Sequence, residues 1–179
     1  MEQKVILVDE TDQDIGSIGK LEAHRKALLH RAFSVFIFNS KGEMLLQQRA
    51  SNKYHSAGLW TNACCSHPSP GEETAKAARR RLQEELGFVA DLTKIFDFTY
   101  KVNFDNGLTE YEFDHVYTGI HDDLIVPNKE EVRDYCYKSL DEIEASLQMH
   151  SQKYSPWFLL AFPRVHQWAR EHFVEPAVA

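Results

Sequence analysis

The sequence predicts an α/β fold, of the α+β kind, in which a mixed β-sheet is sandwiched between helices. Three observations predict it. Strand-like and helix-like stretches follow one another as strands, helix, strands, helices, not as the regular alternation of a parallel crossover fold. Two polar segments between strand-like runs, Asn39-Ser40-Lys41-Gly42 and Asp105-Asn106-Gly107, have the chemistry of hairpin turns. A chain of 179 residues, 43% hydrophobic and 26% charged, suits one globular domain, residues 1–179, with a core of its own.

Taken in order, residues 4–9 read as a short strand, and residues 12–19 are rich in turn formers. Residues 20–29 have weak helical character. Residues 30–38 are β-branched and aromatic with partial alternation and read as a strand, and residues 44–49 return from the turn at Asn39 to Gly42 as its hairpin partner. Residues 50–58 are a loop and 59–61 a short extended piece. Ser69-Pro70-Gly71-Glu72 opens a helix, with serine at the cap, proline in the first position and glutamate three residues after the cap. Ala75, Ala78, Leu82 and Leu86 form its apolar seam, and Gly87 stops it. Residues 95–104 and 108–119 are two strands joined by the Asn106-Gly107 turn; residues 133–138 are a further strand; residues 140–150 and 156–172 are two helices.

The net charge is -7, with no Lys/Arg track that would follow a nucleic acid. An anionic substrate would need a local basic pocket or metal ions. Three cysteines, two of them adjacent, do not make a disulfide framework, which points to a reducing cytoplasm. Residues 1–8 do not resemble a signal peptide, and no apolar run reaches the ~20 residues of a membrane span. Neither a nucleic acid nor a membrane is expected as a partner.

Residues 66–88 resemble the Nudix box, G-x5-E-x7-R-E-U-x-E-E-x-G-U with U apolar. Glu72, Arg80, Leu82, Glu84, Glu85, Gly87 and Phe88 fall on it; Ser66 stands in place of the glycine and Arg81 in place of a glutamate. Positions 81, 84 and 85 share a helix face. A glutamate at 81 would complete a cluster of three carboxylates, whereas Arg81 can pair with Glu85 or present a planar fork to diphosphate oxygens. Charges on a helix face are most often a solvated ion-pair pattern, but seven matched positions favour the motif.

Among nine histidines, His55, His115, His121, His150, His166 and His172 read as surface or packing residues. His24, His30 and His67 stand out beside Glu110-Tyr111-Glu112, whose carboxylates share one face of a strand. Such a pair repels unless a cation or proton lies between them. Three imidazoles and two carboxylates suit a divalent ion, Mn²⁺, Mg²⁺ or Zn²⁺. Cys65 lies two residues from His67, so in extended chain both side chains enter one cavity, while Cys64 fits a small buried hydrophobe.

These residues together resemble the type I isopentenyl-diphosphate isomerases, a Nudix-fold family. The resemblance is carried by Leu29-His30-Arg31-Ala32-Phe33-Ser34, Gln48-Arg49, Trp60-Thr61-Asn62, Cys65-Ser66-His67-Pro68, Glu84-Glu85-Leu86-Gly87, Glu110-Tyr111-Glu112 and Ser155-Pro156-Trp157. It implies a Nudix-like sheet between helices and interconversion of isopentenyl and dimethylallyl diphosphate by protonation and deprotonation. It further implies Cys65 and Glu112 as acid/base partners, with Tyr100 contacting Glu112 and Trp157 beside the carbon skeleton. His24, His30, His67, Glu110 and Glu112 would ligate one divalent ion, with Glu22 or a water as the alternative to His24. Glu85 would hold a Mg²⁺ bridging to the diphosphate, and Lys20, Arg49, Lys53 and Arg81 would contact that diphosphate. The expected partner is a small isoprenyl diphosphate, bound by a monomer or weak homodimer. A Nudix hydrolase of nucleoside diphosphate derivatives would call for the full carboxylate cluster, which Arg81 contradicts. A non-catalytic binding protein would show erosion at Cys65, Glu112 or the histidines, and none is present.

Overall fold

The structure, a computed structural model, describes residues 3–53 and 55–173. Tyr54, in the loop expected at 50–58, lies outside them. The described residues form nine strands: β1 (Lys4–Val8), β2 (Asp14–Gly19), β3 (His30–Phe38), β4 (Met44–Arg49), β5 (Trp60–Thr61), β6 (Cys64–Ser66), β7 (Thr93–Asn103), β8 (Thr109–Ile120) and β9 (Val132–Lys138). They also form four α-helices: α1 (Lys20–Lys26), α2 (Thr74–Leu86), α3 (Leu140–His150) and α4 (Pro156–Phe173). The sheet is mixed, as expected from the order of elements.

The sheet is built around β3. It pairs in parallel with β8 from His30 opposite Glu112 to Phe38 opposite Ile120. On its other edge it meets β6 antiparallel, with Ser34 opposite Cys65, and touches β1 at Leu7–His30. Strand alternation then splits the core in two. Phe33, Val35 and Ile37 of β3, with Leu45 and Cys64, pack on Ala77, Ala78, Leu82 and Leu86 of α2. Phe36 and Phe38, with Met44, Leu46 and Val116, pack on Ile143 of α3 and Phe158, Phe162 and Val165 of α4. Each large side chain removed from water in this way contributes about 1.5–3 kcal/mol.

Three local expectations change. Residues 14–19, expected as turn, form an edge strand paired with β1; most of its side chains are exposed, so it lacks the apolar alternation that marks a strand in sequence. The expected β3–β4 hairpin pairs at Phe38–Met44, after which β4 runs with β9 over Met44–Arg49, because β6 and β8 occupy the edges of β3. Finally, α2 begins at Thr74, not after a Ser69 cap. Gly71 has φ +79°, which a right-handed helix excludes. Glu72 accepts from Ser69 N–H at 2.9 Å but is drawn off by a two-bond pair with Arg80, both at 2.8 Å.

Gly87 ends α2 as expected, in left-handed conformation at φ +78°. A Cβ there would lie 2.5 Å from the Val126 carbonyl oxygen, whereas at Gly58, also left-handed at φ +72°, it would meet open space. Gly87→Ala should therefore destabilise the protein by more than the ~1–2 kcal/mol of left-handed strain, and Gly58→Ala by no more than that. Urea denaturation of the two variants checks the difference; equal losses would show that the Val126 contact gives way without cost.

Candidate active site

The parallel register of β3 and β8 sets His30 beside Glu112, and α1, packed next to β8, brings up His24. His67 follows β6 in the chain and reaches the same place. His67 Nε2 lies 2.8 Å and His30 Nε2 3.5 Å from Glu112 Oε1. His24 Nδ1 lies 2.6 Å from the Lys20 carbonyl oxygen and His30 Nδ1 2.8 Å from that of Leu28. Each carbonyl accepts the Nδ1 proton, fixes the tautomer and turns Nε2 inward, as around metal-ligating histidines. The ligand atoms of His24, His30, His67 and Glu112 all lie within 4.8 Å of one another and are buried. His67 Nδ1 has no hydrogen-bond partner among the described residues, and burial pushes the His67 imidazolium down to about 3, leaving the neutral ring that a metal requires. The donor set thus fits a divalent ion. Glu22, the alternative to His24, is exposed and paired with Lys26.

Glu110 stands next to this set. Its Oε1 lies 3.1 Å from His55 Nε2, and with His24 and His55 it forms a second group of closely spaced ligand atoms. The Tyr100 hydroxyl donates to Glu112 Oε2 at 2.6 Å and lies 3.1 Å from Glu110 Oε2. Burial, reinforced by the charge of Glu112, holds the Glu110 carboxyl well above the usual range. At Glu112 burial works the same way but is outweighed by His67 and His30, which hold it well below. Two adjacent buried carboxyls do not both ionise in the metal-free protein.

Cys65 stands on the same face of the sheet, opposite Ser34 on β3. Its sulfur lies 3.1 Å from Asn62 Oδ1 and 3.4 Å from Ser34 Oγ, whose hydroxyl donates to Asp114 at 2.7 Å. Burial and then the Asp114 charge push the thiol up, so it is a neutral proton donor at neutral pH. Asp114 is itself raised to about 8 by burial and by Glu112. Cys64 points the other way, into the core against α2.

Cys65, His67, Tyr100, Glu110, Glu112 and Trp157 line one cavity of about 170 Å³ together with Lys20, Arg49, Lys53, Arg81 and Glu85. All expected site residues are on its wall except His24 and His30, which stand behind it. Arg49 lies over the Trp157 ring, 5.0 Å from its centre. Lys53 pairs with Glu131, and Arg81 donates to Glu84 at 2.6 Å and to Glu85 at 2.7 Å. Gln47 Nε2 donates to the second oxygen of Glu85 at 3.0 Å.

Five wall residues were not among the expected site residues: Gln3, Gln47, His55, Ser66 and Glu131. His55, read as a surface or packing residue, is buried between Phe104, stacked at 4.7 Å, and Trp157, edge-on at 5.8 Å. It sits in a loop without periodicity, so only the fold brings it to Glu110. Gln47 was hidden in the β4 pattern, where it lies between Leu46 and Gln48 and reads as the start of a polar strand end. Glu131 lies in a polar connection like many others.

Glu85 is buried, with Arg81 and Gln47 as its partners. Removing the guanidinium leaves that carboxylate with one neutral donor, so Arg81→Gln should cost the chelator-treated protein about 2–3 kcal/mol. Chemical denaturation would read this, and a loss below ~0.5 kcal/mol would mean the pair behaves as an exposed one.

The NUDIX domain family model matches residues 28–158. A Pectobacterium atrosepticum protein named isopentenyl-diphosphate Delta-isomerase is 52% identical over 162 residues, covering 90% of each chain. Isopentenyl-diphosphate Delta-isomerase 1 of Aromatoleum aromaticum is 52% identical over 165 residues, covering 92% of this chain and 93% of its own. In fold, the chain resembles a crystal structure from Deinococcus radiodurans, with TM-score 0.71 at 17% identity over 96% of this chain and 100% of that one. It also resembles a MutT protein from Methanosarcina mazei, with TM-score 0.64 at 22% identity over 78% and 94%. With an α+β fold of this kind and relatives at such identity along most of its length, the chain belongs to the NUDIX family and, within it, to the isopentenyl-diphosphate Delta-isomerases.

Proposed function

We propose that this chain interconverts isopentenyl diphosphate and dimethylallyl diphosphate, protonating the alkene from one side and removing a proton on the other. The observation that carries the reading is the pairing in one cavity of Cys65, whose thiol burial keeps neutral, with Glu112, whose carboxylate His67 and His30 keep ionised. Two groups whose environments push their proton affinities apart are an acid and a base. Cys65 donates the proton or takes it back, and Glu112 does the reverse, so the reaction runs in both directions.

An isolated alkene is a weak base, and its protonation gives a tertiary carbocation that water would trap as an alcohol. Trp157, 3% exposed, presents its ring to the cavity and supports that cation by cation–π attraction worth ~2 kcal/mol when desolvated. Tyr100 holds Glu112 in place through the 2.6 Å hydrogen bond. Lys20, Arg49, Lys53 and Arg81 take the diphosphate oxygens, supplying locally the positive charge that the chain as a whole lacks.

His24, His30, His67, Glu110 and Glu112 would hold one divalent ion, Mn²⁺, Mg²⁺ or Zn²⁺, and Glu85 would hold a Mg²⁺ shared with the diphosphate. When bound, these ions supply positive charge that orients Glu112 and neutralises the diphosphate. Three free cysteines, Cys64, Cys65 and Cys136, favour a reducing compartment, the cytoplasm; among the described residues no helix is long and apolar enough to cross a membrane. Nucleotide hydrolysis is disfavoured by Arg81, which fills the place of the missing box carboxylate and pairs with the two that remain.

With Mg²⁺ and isopentenyl diphosphate, the protein should form the allylic isomer without releasing phosphate; phosphate from nucleotides with no isomer would overturn the assignment. Cys65→Ala should lower kcat by ~10²–10⁴ and Cys64→Ala by a few-fold at most. Equal losses would mean that the acid is not Cys65. Metal binding at a hundred times its Kd should stabilise the fold by about 2.7 kcal/mol, raising Tm by roughly 5–11 °C over chelator-treated protein. His67→Ala should lose both the bound metal and this increment, and unchanged metal content would remove His67 from the ligand set.

A further inference from the structure

The Trp60-Thr61-Asn62 segment takes no part in the proposed chemistry, yet its polar side chains are among the most deeply buried in the protein. Asn62 is 0% exposed, Thr61 1% and Ser155, from the other end of the chain, 0%. A buried primary amide must satisfy two N–H donors and a carbonyl oxygen. Asn62 Nδ2 donates to the backbone carbonyls of Val35 and Cys64, both at 3.0 Å. Both carbonyls belong to sheet strands, so turning the amide over would set its oxygen against two other oxygens. The orientation is therefore dictated: Oδ1 faces the other way, where it accepts from the Thr61 hydroxyl at 2.9 Å and from the Cys65 sulfur at 3.1 Å.

The chain of hydroxyls continues beyond Thr61. Ser155 Oγ donates to Thr61 Oγ1 at 2.9 Å. Ser155 immediately precedes α4 and caps it, accepting from Phe158 N–H at 3.4 Å, while its own N–H donates to the Trp60 carbonyl at 2.9 Å. Two residues further on, Trp157 lines the cavity that Cys65 also lines. A buried polar chain thus runs from the N-terminus of the helix bearing the indole to the sulfur, through Ser155, Thr61 and Asn62.

We infer that Asn62 is the positioning residue for Cys65, and that the Ser155–Thr61 hydroxyl pair holds Asn62 so that the sulfur and the Trp157 ring keep a fixed register across the cavity. The inference rests on the role proposed above for Cys65. A cysteine side chain has one torsion with three staggered positions. The one occupied here brings the sulfur within reach of Asn62 Oδ1 and Ser34 Oγ, and a change of rotamer carries it away from both. A substrate whose reacting carbons lie between thiol and indole tolerates little of that movement. The amide does not touch substrate; its effect passes through Cys65.

Thr61→Val tests this, because it removes the hydroxyl at nearly constant shape and leaves the two Asn62–backbone bonds in place. The full-length, metal-loaded protein is assayed for kcat and KM on isopentenyl diphosphate, for bound metal, for Tm, and for the rate at which iodoacetamide alkylates Cys65, followed residue by residue. Thr61→Val should lower kcat ten- to a hundredfold with KM and metal content within twofold of wild type, and should change the Cys65 alkylation rate at least threefold. Thr61→Ser, which restores the hydroxyl, should return both within threefold. Ser155→Ala, one link further out, should show a smaller change in the same direction and replaces Thr61→Val if that variant does not fold. Unchanged kcat and alkylation in both Thr61→Val and Ser155→Ala overturn the inference, as does an equal loss in Thr61→Ser that tracks Tm alone. The alkylation rate reads the positioning even if wild type shows no isomerase activity, so failure of the proposed function is told apart from failure of this inference.

Discussion

The register of β3 is the constraint on which the site depends. Its parallel pairing with β8 puts His30 opposite Glu112, and its antiparallel pairing with β6 puts Ser34 opposite Cys65. Positions 30 and 34 are an even number of residues apart, so the proposed base and the proposed acid emerge on the same face of the sheet. A slip of one residue on either edge would send one of them into the core against α2. What prevents the slip is burial of both faces of β3: Phe33, Val35 and Ile37 on one side and Phe36 and Phe38 on the other have no alternative place in which to be dry.

That rigidity allows a cluster that would otherwise be costly. Three imidazoles and the carboxylate of Glu112 are buried around one point, Glu110 and His55 form a second buried group beside them, and Asp114 is buried nearby with one oxygen that has no hydrogen-bond partner among the described residues. Burying such groups opposes folding unless they are paired, protonated or bound to a cation. The protein uses the first two means in the metal-free form: Glu112 is paired with His67 and His30, whereas burial holds Glu110 protonated. The outlay is carried by the two apolar layers, which lie away from the cavity. The basic wall solves a related problem, since a chain of net charge -7 must hold an anion; its cations keep carboxylate neighbours, Glu131 for Lys53 and Glu84 and Glu85 for Arg81.

The two departures from the Nudix box have physical sense in this frame. Ser66 lies in a strand, paired with Phe33, and is not among the residues with positive φ, so no glycine is needed there. Arg81 converts what would be a third clustered carboxylate into a guanidinium that bonds to the other two. The helix retains one buried carboxylate, Glu85, and gains a cation suited to diphosphate oxygens. Under the proposed function, reaction at the carbon end of a substrate needs the diphosphate held and not cleaved, and the charge pattern of this helix suits that.

Much of the protein was legible in its sequence wherever the signal was local. The Asn106-Gly107 hairpin, the left-handed stop at Gly87, the alternation that sets Glu110 and Glu112 on one side, and the helices at 140–150 and 156 onward follow from turn chemistry and periodicity within a few residues. The motifs from Leu29 to Trp157 pointed by resemblance to residues most of which the fold brings to one cavity. Where local signals competed, they misled: Ser69-Pro70 reads as a helix start, but Gly71 and the pull of Arg80 on Glu72 delay the helix to Thr74. The convergence of positions 24, 67 and 110, the parallel match of β3 with β8, the arrival of His55 beside Glu110 and the linkage of Ser155 to Cys65 were decided by the tertiary structure alone. Contacts between residues dozens of positions apart leave no periodic trace in the chain; they exist only once the apolar faces of β3 have been buried and its two edges have chosen their partners.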